Sequence, residues 1–190
     1  MRLHKVRIIG GAWRGRKVEF IDTPGIRPTT DRTRETLFNW LAPFIENAIC
    51  LDLFAGSGVL GLEALSRGAK KVVFVEQDKR TTHLIREHLN KFGSLQGKVI
   101  FADAFKWLKK QTEQFDIVFL DPPFHYYTHK PALLAESFQN LSKHLKPEAL
   151  IYLEMPARLQ KFSIPRAWQS YREKVAGEVK YCLFKSSPDV

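Results

Sequence analysis

Four acidic residues close or follow short apolar runs. Asp52 lies within the run 48–54, Glu76 ends 71–76, Asp103 follows 99–101, and Asp121 follows 115–120. Carboxylates so placed accept hydrogen bonds from hydroxyls and amines and pair with cations. Asp52 precedes Gly56-Ser57-Gly58 and then Gly61. Glycine tolerates positive φ and has no Cβ, so a turn here lets backbone N–H groups approach a ligand. The spacing Gly56-x-Gly58-x-x-Gly61 matches the dinucleotide fingerprint in form. A carboxylate buried beside a phosphate is an electrostatic liability, however. Beside a cation it is an asset, and S-adenosylmethionine (SAM) carries both a sulfonium and an ammonium. The purely structural role for Asp52 is to cap the turn that follows.

Glu76 falls twenty residues after Gly56, where nucleoside-binding folds place an acid on the ribose hydroxyls. Its structural alternative is a solvated strand end. Asp103 can accept from an adenine amino group, cap the helix that starts at Ala104, or do both. Asp121 runs into Pro122-Pro123-Phe124, and two prolines make an extended, stiff loop. His125, Tyr126, Tyr127 and His129 follow as a lid, with the histidines as surface or substrate contacts rather than catalysts.

Positioning these groups on one edge requires strands alternating with helices. Apolar runs at 48–54, 71–76, 99–101, 115–120 and 149–154 read as buried parallel strands. Segments 32–42, 59–67, 79–92, 104–110 and 131–145 read as helices. Segments 168–175 and 179–184, with Gly177 between, read as a hairpin that closes the sheet edge. Ligands of such sheets bind at the carboxyl ends of the strands, where the four acids fall.

The 190 residues carry a net charge of +10, distributed unevenly. Residues 1–34 hold +6, residues 35–155 are balanced, and residues 156–190 hold +4. Basic flanks on a neutral core fit a polyanionic partner such as nucleic acid; for the C-terminal flank an ordinary solvated surface fits equally well. A hydrophobic content of 44% supports one buried core. No apolar run reaches the roughly 20 residues of a membrane span, and the N-terminus leads into no signal-like run. Cys50 and Cys182 lie in apolar runs and read as reduced core residues of a cytoplasmic protein. No spacing argues for a metal.

Residues 6–9 and 17–21 are β-like, and Gly11-Ala12-Trp13-Arg14-Gly15-Arg16-Lys17 lies between them. Guanidinium groups pair with phosphates and aromatic planes stack on bases, so this tip suits RNA. Trp13 can equally fold onto the core. Thr29, Thr30 and Asp31 offer N-caps, and Arg32 and Arg34 then fall in a first helical turn. The helix dipole disfavours cations there, which points to an anion that they meet.

The glycine motif, Glu76, Asp103 and the Asp121-Pro122-Pro123-Phe124 stretch together resemble a class I SAM-dependent methyltransferase. The Asp-Pro-Pro-Phe variant resembles those that methylate exocyclic base nitrogens. The run Arg7-Ile8-Ile9-Gly10-Gly11-x-Trp13-Arg14-Gly15-Arg16-Lys17, followed by Arg27-Pro28-Thr29-Thr30-Asp31-Arg32-x-Arg34-Glu35, narrows the resemblance to the RsmD family of bacterial 16S rRNA (guanine-N2)-methyltransferases. It covers essentially the whole chain.

The resemblance implies an α/β, Rossmann-like class I methyltransferase fold. Its sheet is seven-stranded and mostly parallel, with a C-terminal antiparallel hairpin. Residues 1–30 form an N-terminal β-hairpin extension that binds RNA, and residues 31–190 form the methyltransferase domain. It implies SAM as cofactor, with no metal. Asp52, Phe54, Ala55, Gly56, Ser57 and Gly58 would hold the methionyl part, Glu76 with Gln77 beside it the ribose, and Asp103 with Ala104 the adenine. Asp121 and the Pro122 carbonyl would accept from a guanine amino group, Pro123 would stiffen the loop, and Phe124 would stack on the extruded base. Arg7, Trp13, Arg14, Arg16, Lys17, Arg27, Arg32 and Arg34 would grip 16S rRNA in the small subunit or its assembly intermediate, the protein acting as a monomer. Three alternatives stand beside this reading. They are an amino-methyltransferase of DNA adenine N6 or cytosine N4, a dehydrogenase sharing the glycine turn and the acid at 76, and a non-catalytic RNA-binding module.

Overall fold

A computed structural model describes residues 3–21, 30–159 and 162–187. β1 (Leu3–Arg7) and β2 (Lys17–Ile21) pair antiparallel as a sheet of their own, with a single 3-10 turn at Gly11–Trp13 between them. The main sheet holds β3 (Ile49–Asp52), β4 (Lys71–Glu76), β5 (Gly97–Phe101), β6 (Phe115–Leu120), β7 (Leu145–Pro156), β8 (Trp168–Ala176) and β9 (Val179–Ser186). Their spatial order is β5-β4-β3-β6-β7-β9-β8; the first five pair parallel and the last two form an antiparallel hairpin against β7. The expected seven-stranded, mostly parallel sheet is therefore present.

The chain runs outward from β3 through β4 to β5, then crosses back to β6 on the other side of β3. The boundary between β3 and β6 is thus the point where strand order reverses, and a crevice opens there at the carboxyl ends. The helices are α1 (Asp31–Leu41), α2 (Val59–Ser66), α3 (Lys79–Phe92), α4 (Ala104–Leu108), α5 (His125–His129) and α6 (Pro131–Ser142).

Alternation along the strands divides the core in two. Cys50, Val72, Phe74, Phe119 and Tyr152 pack with α1, α2 and α3 on one face. Leu51, Val73, Val75, Leu120 and Leu153 pack with α4, α5 and α6 on the other. Such two-sided burial is what makes these strands read as continuous apolar runs. Among the described residues no helix is long and apolar enough to cross a membrane.

Several boundaries differ from expectation for local reasons. The strand expected at 48–54 ends at Asp52, because the chain leaves the sheet for the glycine turn. The helix expected to reach 145 stops at Ser142, since Leu145 already pairs with Phe115 before a register shift carries β7 to the Ile117–Leu150 pair. The strand expected at 6–9 ends at Arg7, and the amides of Ile9 and Gly10 go to the Glu63 carboxylate instead of a ladder. The segment expected as a lid is the short helix α5, and Tyr126 and Tyr127 are buried in the second core cluster.

Candidate active site

The glycine turn leaves β3 directly. Gly56 and Gly58 adopt φ of 49° and 73°, and the Gly58 amide closes the turn on the Ala55 carbonyl at 2.7 Å. A Cβ on Gly58 would meet Ile85 Cγ1 at 2.9 Å, whereas one on Gly56 would meet only the Phe54 carbonyl oxygen, at 3.9 Å. Gly58 is thus required by packing, and Gly56 by conformation beside open space.

Asp52 is 2% exposed and accepts the Gly61 amide of α2 at 3.1 Å. Among the described residues no cationic side chain pairs with it. Burial pushes its carboxyl up to about 8; the Gly61 amide offsets this in part and nearby Glu76 adds to it. Glu76 accepts the Gly56 amide at 2.9 Å and the Asp78 amide at 2.8 Å. It therefore ties the second strand end to the glycine turn. Burial raises its carboxyl and these amides oppose the rise. Gln77 is exposed beside it. Asp103 caps α4 through the Lys106 amide at 2.9 Å, and Ala104 is buried behind it.

Phe54 after β3, Phe105 of α4 and Tyr126 of α5 pack together. Ring centroids lie 5.8 Å apart for Phe54–Phe105, 5.2 Å for Phe105–Tyr126 and 6.4 Å for Phe54–Tyr126. Asp121 stands half-buried just past β6. Because Asp52 pairs with Phe119, Asp121 lies two residues further along the neighbouring strand, on the same edge. Burial, then Glu154 and Asp52, hold its carboxyl well above the usual carboxylate range. Pro122 is buried, Pro123 and Phe124 are half-buried, and Phe124 packs edge-on to Tyr127 at 6.3 Å. The expected edge of Asp52, Ser57, Glu76, Asp103 and Asp121 is therefore assembled at the carboxyl ends of β3, β4, β5 and β6.

Sequence reasoning assigned no role to Glu154 or Glu63. Glu154 is the acid that ends a fifth apolar run, as the other four end theirs, and that repetition was the available signal. Glu63 is a lone carboxylate inside the apolar helix Val59-Leu60-Gly61-Leu62-Glu63-Ala64-Leu65. Its Oε2 accepts the Ile9 amide and its Oε1 the Gly10 amide, both at 2.8 Å, and Arg67 Nε donates to Oε1 at 2.8 Å.

The basic residues divide. Arg14, Arg16, Lys17 and Arg32 are exposed, and Arg16 lies over the Phe92 ring at 5.2 Å. Arg7 is exposed and pairs with Asp31 at 3.3 Å. One expectation is corrected. Arg34 is fully buried, bonded to Glu63, Asp31 and the Arg7 carbonyl, so it holds the fold and is not placed to meet a phosphate. Trp13, for which packing on the core was one of two open readings, is half-buried and packs on Phe92 at 5.0 Å, with its amide bonded to Ser66 Oγ. Arg27 lies outside the described residues. Cys50 and Cys182 are buried free thiols. Among the described residues no cluster of His, Cys, Asp and Glu is arranged to hold a metal.

A parallel sheet with its strand-order reversal beneath a glycine turn and a carboxylate-lined edge defines the class I methyltransferase fold. The family model for Conserved hypothetical protein 95 matches residues 6–185, and the chain belongs to that family, the RsmD family. A relative from Escherichia coli K12, named Ribosomal RNA small subunit methyltransferase D, is 45% identical over 183 residues, covering 95% of this chain and 90% of its own. Its namesake from Haemophilus influenzae is 46% identical over 188 residues, covering 96% and 94%. The solved structure of the methyltransferase yhhF from Escherichia coli superposes with a TM-score of 0.87 at 42% identity, over 98% of this chain and all of that one.

Proposed function

We propose that this protein is an rRNA methyltransferase that uses SAM to methylate the exocyclic N2 of a guanine in the 16S rRNA of the small subunit. The observation that supports it most is the adjacency of β3 and β6, which sets a buried acid, Asp52, with no cationic partner among the described residues, and a half-buried one, Asp121, along one edge. The names of the relatives support rRNA as the substrate class.

The residues of the edge fit SAM. Among the described residues Asp52 meets no cation, which the ligand's ammonium and sulfonium would supply, Gly56 opens the way to backbone amides, and Glu76 keeps lone pairs for ribose hydroxyls beyond the two amides it accepts. When bound, SAM supplies an electrophilic methyl group. The protein's task is then the acceptor. A guanine amine is a poor nucleophile because its lone pair is delocalised into the ring. Asp121 and the Pro122 carbonyl accept hydrogen bonds from its two N–H groups, draw the nitrogen toward tetrahedral geometry and aim the lone pair. Positioning and fixed electrostatics do most of this work. The amine is out of reach in a stacked helix, so the base is extruded or already unpaired, with Phe124 as its stacking face. Arg7, Arg14, Arg16, Lys17 and Arg32 contact flanking phosphates.

The test is transfer from methyl-labelled SAM to three acceptors side by side: unmethylated small subunits, free 16S rRNA and duplex DNA. Label in rRNA supports the reading. Label confined to DNA would keep the fold and cofactor but move the activity to an adenine or cytosine amine.

A further inference from the structure

We propose that the solvent face of α3, together with the Phe101 ring at the end of β5, is a second RNA contact. It holds a single-stranded stretch of rRNA beside the cofactor edge, with phosphates on Lys79 and Arg86 and a base on Phe101. The inference rests on the reading of rRNA as the substrate and adds a surface that the hairpin tip does not include.

Helical spacing builds the cationic part. α3 buries Thr82, Ile85, His88, Leu89 and Phe92, so positions 79, 83 and 86 share one solvent-facing stripe. That stripe borders β5, because Arg86 Nη2 donates to the Val99 carbonyl at 3.1 Å. Arg80 and His83 have carboxylates close by, Asp78 at 3.8 Å and Glu87 at 3.4 Å. Lys79 and Arg86 are exposed and make no ion pair among the described residues. They lie about 10 Å apart along the helix. At the far end of α3, Lys91 is exposed and Arg16 of the hairpin tip lies over the Phe92 ring at 5.2 Å. The cations therefore continue from the hairpin tip to the start of α3, where Asp78, the helix cap, gives its amide to Glu76.

Register supplies the aromatic part. β5 is the outermost strand on its side of the sheet, and Phe101, its last residue, is 55% exposed. Val99 packs with the α3 side of the core and Ile100 with the other side. Phe101 thus lies on the α3 side, about 7 Å along the strand from the residue that Arg86 holds. It pairs with Glu76 in parallel, one strand spacing from that acid. Among the described residues the other exposed large apolar side chains, Phe44, Leu95 and Tyr171 among them, lie away from the carboxyl ends of the parallel strands. A lone exposed ring needs no explanation. A ring beside unpaired cations at the rim of a site has the makeup of a single-strand platform, where bases stack on the ring and the cations follow the phosphates. An acidic peptide would satisfy the cations but leave the ring without a use, so RNA is the better fit.

Affinity for unmethylated small subunits and for free 16S rRNA, measured against salt with the full-length protein, tests this. Phe101→Ala is expected to weaken both about fivefold or more, and Phe101→Trp to keep wild-type affinity. Lys79→Ala combined with Arg86→Ala flattens the slope of log K against log salt by about 1.4, for two single-strand phosphate contacts. Lys109→Ala combined with Lys180→Ala removes two cations that already serve Glu136 and Glu173, and leaves the slope unchanged. SAM affinity, by calorimetry, stays at the wild-type value in every variant. Wild-type affinity in Phe101→Ala overturns the proposal, as does a wild-type slope in the α3 double variant or an equal flattening in the Lys109 and Lys180 one. Loss of SAM affinity in Phe101→Ala that matches its loss of RNA affinity also overturns it, and gives the ring to the cofactor. Losses confined to assembled subunits overturn it in favour of a subunit protein as the partner. Wild-type protein that binds neither probe overturns instead the rRNA reading on which the proposal rests.

Discussion

Arg34 and Glu63 form an ion pair at 3.4 Å with both side chains 0% exposed. The pair joins two parts of the chain with different tasks. Glu63 lies on α2, which starts at the glycine turn, and the same carboxylate accepts the Ile9 and Gly10 amides that lead into the basic hairpin tip. Arg34 in turn donates to the Arg7 carbonyl at 2.9 Å and to Asp31 at 2.7 Å. One buried carboxylate thereby fastens the hairpin that carries Arg14 and Arg16 to the helix that follows the glycine turn.

Removing Glu63 leaves the buried Arg34 guanidinium with the half-exposed Asp31 as its remaining carboxylate and takes the acceptor from the part-buried Ile9 and Gly10 amides. Glu63→Ala is expected to cost about 3–5 kcal/mol, the usual penalty for breaking a buried pair from one side. Urea unfolding of the two proteins measures it. A loss under about 1 kcal/mol would show that water reaches Arg34 and that the pair is not the fastening described.

Asp121→Ala removes the carboxylate proposed to face the amine but leaves the glycine turn, Glu76 and Asp103 in place. Turnover is expected to fall by about 10²–10⁴-fold, while SAM affinity, measured by calorimetry, stays within a few-fold. Turnover near the wild-type value would take Asp121 out of the chemistry.

Arg14→Ala combined with Arg16→Ala removes two exposed cations that the fold does not use for burial. Affinity for rRNA is expected to drop, and the slope of log K against log salt to flatten by about 1.4 for two single-strand phosphate contacts. An unaltered slope would mean that the hairpin tip faces away from the RNA.

Burial pushes the carboxyl of Asp52 up to about 8 in the folded protein, against about 3.9 in an unfolded chain. The folded state then holds a proton that the unfolded state has lost, so this group's contribution to stability falls as pH rises from about 4 to about 8, by up to about 1.4 kcal/mol per pH unit. A cationic ligand favours the ionised acid, so SAM affinity rises over the same range, with proton release on binding. Asp52→Asn is expected to flatten both dependences, read by urea midpoints and by calorimetry in buffers of different ionisation enthalpy. Equal pH dependence in mutant and wild type would mean that Asp52 is not the titrating group.

The sheet and the strand-end positions of its acids were readable because they depend on local features. Apolar runs, a glycine turn and an acid at each strand end place Asp52, Glu76 and Asp121 without knowledge of the strand order. What was not readable depends on contacts distant in sequence. The burial of Arg34 is decided by Glu63, 29 residues away, and an arginine in a first helical turn looks the same whether it meets a phosphate or a buried carboxylate. Trp13 is drawn onto the core by Phe92, on a helix that its own neighbourhood does not announce. Likewise, α5 reads as a lid until the packing of Tyr126 and Tyr127 is known.

The central claim is that this edge delivers a methyl group to the exocyclic nitrogen of guanine. Mass spectrometry of nucleosides digested from methylated small-subunit rRNA identifies the modified atom directly. The account predicts N2-methylguanosine, absent when Asp121→Ala replaces the wild-type protein. A methyl group on a ring nitrogen, a carbon or a ribose oxygen would contradict it, because those positions offer no pair of amine hydrogens for Asp121 and the Pro122 carbonyl to accept.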